Sequence, residues 1–162
     1  MFRSVRSWMV VAAIACGALA GPIAIAQASN SSIIATFRAA NGRFNRDEAT
    51  LKKRLTAFAN HKAGSKPVIA ALRHEVRDIR PVDHRIKGER ASGAKGRRGK
   101  AAVTKGLTMI ANAYSQLANA LQRARAGHPV RRAQLNAISA RARHGHDRLV
   151  SGLRLLGARV RG

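Results

Sequence analysis

Three groups of residues in this chain have types and spacings that could do chemistry. The first is a glycine-rich basic stretch, Gly93-Ala94-Lys95-Gly96-Arg97-Arg98-Gly99-Lys100-Ala101. A phosphate-cradling loop needs a preceding strand, four residues between its outer glycines, and Ser or Thr after the lysine to hold magnesium. Here five residues separate Gly93 from Gly99, Ala101 follows Lys100, and no strand-like run precedes. Nucleotide binding is therefore rejected. What remains is a segment suited to contacting anions, because glycine lets the backbone come close and arginine can grip a phosphate or carboxylate with two hydrogen bonds. Lys95, Arg97, Arg98 and Lys100 are the expected anion contacts, with Arg141 and Arg148, seven apart on a helix, as secondary ones. The competing reading is a solvated linker in a uniformly basic protein.

The second group is six histidines: His61, His74, His84, His128, His144 and His146. His144-Gly145-His146-Asp147 looks metal-like, but helical residues two apart point to different faces. The pair could chelate only if the helix opened at Gly145. The chain has no His-Glu-x-x-His, no Glu-x-x-His and no Cys-x-x-Cys-His. No metal ligand, cofactor or haem is expected.

The third group is the seven acids. Helical spacing pairs Glu48 with Lys52 and Asp47 with Arg43. Glu75 and Asp78 sit among Arg73, Arg77 and Arg80. No carboxylate pair is expected on an apolar face, and no Ser–His–Asp constellation follows from the spacing. The chain is therefore expected to be no enzyme, with no catalytic residue.

These groups must be positioned by helices, because the apolar spacing is three- and four-residue throughout. Phe37, Phe44, Leu51 and Phe58 recur every seven residues in a helix from about Ser31 to Asn60. Ile69, Leu72, Val76 and Ile79 mark a second, from about Lys66 to Arg90, with Pro67 in its first turn and Pro81 expected to kink or break it. Val103, Leu107, Ile110, Tyr114, Leu117 and Leu121 mark a third. Gly127 reads as its stop and Pro129 as the first turn of a fourth, carrying Leu135, Ile138, Leu149 and Leu153. The joints at His61–Ser65 and Gly127-His128 are short, which favours antiparallel neighbours. The expectation is an all-α, antiparallel up-down-up-down four-helix bundle over residues 29–162. A flexible Gly/Arg/Lys-rich joint is expected at about 88–100.

Residues 1–28 read as an export signal. Arg3 and Arg6 precede an uncharged apolar run, Gly21 and Pro22 break it, and Ala26-Gln27-Ala28 fits the small-x-small cleavage pattern, so cleavage is placed after Ala28. The alternative is an uncleaved anchor. Cys16, the single cysteine, falls inside this segment, so the mature domain would hold together by helix packing without a disulfide. The expected location is secreted, or the periplasm and cell envelope.

Charge bounds the partners. The chain has 31 Lys and Arg against 7 acids, a formal net charge of +24. Such a field draws in polyanions. The features of specific nucleic-acid recognition are missing, because Trp8 lies in the leader and the apolar seam claims Phe37, Phe44 and Phe58. The leading expectation is an exported, non-enzymatic bundle, monomeric or weakly self-associating. It would associate with anionic polymers: wall polymer, anionic lipid headgroups or nucleic acid without sequence preference. The alternative is a bundle that carries a small ligand or metal in its core.

Overall fold

The computed structural model describes residues 23–25 and 30–160, with side chains from 30 to 158. The expected leader 1–28 lies outside the described residues except for Ile23–Ile25. Four helices make up the body: α1, Ser31–Ala59; α2, Ser65–Gly88; α3, Gly93–Arg125; and α4, Arg132–Leu155. A short ribbon pairs a segment before α1 with one after α4. Strand β1, Ile23–Ile25, pairs antiparallel with β2, Ala158–Val160, setting Ala24 opposite Arg159. No helix among the described residues is long and apolar enough to cross a membrane. The all-α four-helix bundle read from the apolar spacing is thus the observed architecture.

The heptad residues of α1, Phe37, Phe44, Leu51 and Phe58, are all buried in the core. Phe37 and Phe44 are 1 % exposed and pack ring against ring at 6.0 Å. Leu72 and Ile79 of α2, Leu107 of α3 and Leu149 of α4 meet them in one cluster. Each helix packs mainly against its neighbour in sequence, while α1 and α4 make no comparable backbone approach. Cross-helix contacts give the directions. Arg54 reaches Pro67 while Asp47 reaches His74, so α2 runs back along α1. Asp83 meets Thr108 and Arg73 meets Gln122, so α3 runs back along α2. Gly99 lies against Gly152 and Gly106 against Gly145, so α4 runs back along α3.

The helix ends follow from local chemistry. After α1, Lys62 N–H bonds Ala57 O at 2.8 Å and His61 N–H bonds Phe58 O at 3.2 Å. This is the reverse turn that closes many helices, here with His61 at φ 57° where glycine is usual. Gly127 makes the same turn after α3, at φ 88°, as its sequence position suggests.

Three expectations are corrected. The joint at 88–100 contracts to the few residues between Gly88 and Gly93, because Gly93–Lys100 forms the first turns of α3. Gly96 and Gly99 are small for packing, not for mobility. A Cβ on Gly96 would run into the Asn30 amide, and one on Gly99 would meet Leu156 at 2.9 Å. Pro81 does not break α2, which continues past it to Gly88; Pro81 is exposed, with Ile79 and Val82 buried beside it. Finally, α4 starts at Arg132, so Pro129 belongs to the connection.

Candidate functional site

The surface and the interior divide the charges. Every Lys and Arg with a described side chain is exposed except Arg54 and Lys100, which are half-buried. The acids behave oppositely. Of the seven, only Asp147 is exposed; the others are buried or half-buried.

Of the expected anion contacts, Lys95, Arg97 and Arg98 are exposed on the first turns of α3. A helix start presents free N–H groups, which favours an anion nearby. Lys100 sits differently. Its ammonium donates to Lys87 O at 2.7 Å and Glu89 O at 2.6 Å, closing the C-terminal end of α2. Lys100 is therefore a helix-capping residue, and the structure separates it from its three neighbours. Arg148 is exposed on α4. Arg141 is exposed too, and its guanidinium donates to Gln116 Oε1 at 2.5 Å. The register that sets Gly99 beside Gly152 puts the start of α3 near the end of α4. Lys95, Arg97 and Arg98 therefore share that end of the bundle with Arg154, while Arg141 lies toward the middle.

No protein-family model matches the chain, and no curated protein or solved structure is significantly similar to it.

A second feature, an acidic cluster, arises where α1 packs on α2. Four of the seven acids converge between α1 and α2. Asp47 and Glu48 come from α1, and Glu75 and Asp78 from α2, with His74 beside them. Asp47 does not turn to Arg43: its Oδ1 lies 3.6 Å from His74 Nδ1. Donor atoms of Asp47, His74 and Asp78 all fall within 4.8 Å of one another. Glu48 and Glu75 form the deeper part, at 7 % and 1 % exposure. Both Glu75 carboxylate oxygens, and Oε2 of Glu48, are enclosed with no hydrogen-bond partner among the described residues. The expectation that no carboxylates would share an apolar face is thus overturned.

Burial raises the pKa values of Glu75, Glu48 and Asp47. Burial, then the charges of Asp47, Glu48 and Asp78, pushes Glu75 up to about 8. Burial pushes Glu48 up to about 7, with Lys52 opposing. Asp47 is also raised, first by burial and then by its hydrogen bond with Asp78, while His74 and Arg46 act the other way. The signal in the sequence was Glu48 and Glu75 standing on their helices' apolar stripes. Glu48 lies four residues past Phe44, and Glu75 three past Leu72.

The histidine pair on α4 stays apart. His144 is exposed, and α4 remains helical through Gly145, whose space is filled by Gly106 and Ile110 of α3. Burial lowers the pKa of His146, partly offset by Asp147.

Proposed function

We propose that this protein is an exported, non-enzymatic helical bundle that associates with anionic polymers through its basic surface. The observation that carries the reading is the segregation of charge. With all acids but Asp147 drawn inward, the exposed Lys and Arg face solvent with little local compensation. A field of one sign over a whole surface attracts any dense array of phosphates or carboxylates. Wall polymers, anionic headgroups and nucleic-acid backbones share that chemistry. Lys95, Arg97 and Arg98 are the primary contacts, and Arg141 and Arg148 extend them along α4.

Binding to duplex DNA, anionic phospholipid vesicles and acidic wall polymer, measured across a salt series, tests the reading. For duplex DNA, log K falls against log salt by about 0.9 per phosphate neutralised. Changing Lys95, Arg97 and Arg98 together to Ala should reduce that slope by about 2–3. Failure to bind all three polyanions at physiological salt would overturn the proposal.

A further inference from the structure

The deeper acids in the α1–α2 seam pose a specific problem. Buried polar atoms are nearly always hydrogen-bonded, and exceptions call for an explanation such as a bound ion. Glu75 is 1 % exposed, yet neither carboxylate oxygen has a hydrogen-bond partner among the described residues. In a chain this rich in Lys and Arg, the most enclosed acid has no cation partner among the described residues. Its charged neighbours are Asp47, Glu48 and Asp78, all of its own sign.

The edge of the same cluster has the composition of a ligand set. His74 and Asp78, four residues apart, lie one turn apart on one face of α2. Asp47 faces them from α1. Their donor atoms are already within 4.8 Å of one another, so both helices present them without backbone rearrangement. His74 is about half exposed, with 52 % of its side chain accessible, which opens a path from solvent. Glu75, between His74 and Asp78 in sequence, lies near enough for the charges of Asp47 and Asp78 to act on it.

We propose that Asp47, His74 and Asp78 form a site for one divalent first-row transition cation, with Glu75 as a further oxygen donor from the core. One imidazole with carboxylates suits zinc, manganese or ferrous iron, whereas magnesium and calcium take oxygen ligands. The charges balance closely: three carboxylates against a divalent ion leave one negative charge, and Arg46 lies near enough to act on Asp47. The site is independent of the polyanion reading, because it lies in the seam and uses none of Lys95, Arg97, Arg98, Arg141 and Arg148.

The test uses the full chain carrying Cys16→Ser, so that the lone thiol does not compete for metal. Zn²⁺ and Mn²⁺ are titrated separately by calorimetry, and Co²⁺ by visible absorbance, with Mg²⁺ and Ca²⁺ as comparisons. One transition ion per chain is expected. His74→Ala and Asp78→Asn should each weaken binding by about tenfold or more, a loss of that order attending even outer partners of metal ligands. About half of the His74 side chain is accessible, so His74→Ala should keep the helical circular dichroism of the parent. Glu75→Gln should weaken binding while leaving the metal-free protein folded. A double His144→Ala, His146→Ala variant should bind as the parent does. Undiminished binding in His74→Ala, loss of binding in the α4 histidine variant, or no binding of any transition ion would each overturn the site. Polyanion binding by His74→Ala should match the parent, which separates failure of this site from failure of the surface reading.

Discussion

Gly106 and Gly145 meet across α3 and α4 with no room for a side chain on either. A Cβ on Gly106 would lie 2.6 Å from Gly145 O, and one on Gly145 would lie 3.0 Å from Gly106 O. Seven residues along each helix, Gly99 and Gly152 repeat the contact, with a Cβ on Gly152 falling 2.6 Å from Val103 N. These two pairs let backbone pack on backbone, so α3 and α4 approach more closely than larger seam residues would permit.

This contact reverses a familiar rule. Gly→Ala inside a helix ordinarily stabilises by about 0.5–1 kcal/mol. Gly106→Ala and Gly152→Ala should instead destabilise by about 1–3 kcal/mol through overpacking against backbone. Gly42→Ala, exposed on α1 with only an Arg46 nitrogen at 3.9 Å, should follow the ordinary rule and stabilise. Denaturant melts of the three variants check the signs. A stabilising Gly106→Ala would show that the helices stand further apart.

Lys100 ties the end of α2 to the beginning of α3. Lys100→Ala removes donors from the Lys87 and Glu89 carbonyls, and charged hydrogen bonds of this kind contribute about 1.5–3 kcal/mol. The half-buried site should lose about 1–2 kcal/mol in a chemical melt. The triple change of Lys95, Arg97 and Arg98 to Ala should leave the melting midpoint nearly unaltered, since all three are exposed. Equal destabilisation by both variants would remove the distinction between cap and contact.

The buried glutamates set a pH dependence for the metal-free protein. Glu75 titrates near 8 in the folded chain, against an ordinary value of 4.5. Between those values the folded state holds a proton that the unfolded state has released, so stability falls as pH rises. Glu48, at about 7, and the raised Asp47 act in the same direction, while Lys52, Arg46 and His74 oppose. In chelator, stability should drop by about 2–4 kcal/mol from pH 5 to pH 8. Glu75→Gln should flatten much of that drop. A flat parent profile over this range would show that the seam is wetter than the packing indicates.

Processing is tested by mass. Cleavage after Ala28 would start the exported chain at Ser29 and remove Trp8, Cys16 and the β1 residues Ile23–Ile25. The intact mass should then match Ser29–Gly162, with no tryptophan emission. The three residues of β2 would lose their partner strand, so exchange protection at Ala158–Val160 should appear only in the unprocessed chain. Recovery of Trp8 in the exported product would make the N-terminal segment an anchor.

The helices and their core faces were legible in the chain itself, because three- and four-residue apolar spacing is a local property. Phe37, Phe44, Leu51 and Phe58 needed no partner to declare a buried stripe, and Gly127 marked a helix end by its own backbone freedom. The roles of Gly96, Gly99, Gly106, Gly145 and Gly152 were not legible. A glycine that permits a turn and a glycine that permits two backbones to touch are the same residue, and only the opposing helix decides between them. Lys100 likewise looked like one cation among several until the end of α2 came within reach of its ammonium. The acidic cluster was the most hidden. Asp47 and Glu48 stand 26 residues or more from His74, Glu75 and Asp78 in the chain. Within each helix they have basic neighbours that suggest local ion pairs. The antiparallel register of α1 on α2 brings the two sets together, and burial then removes the water that would have screened them.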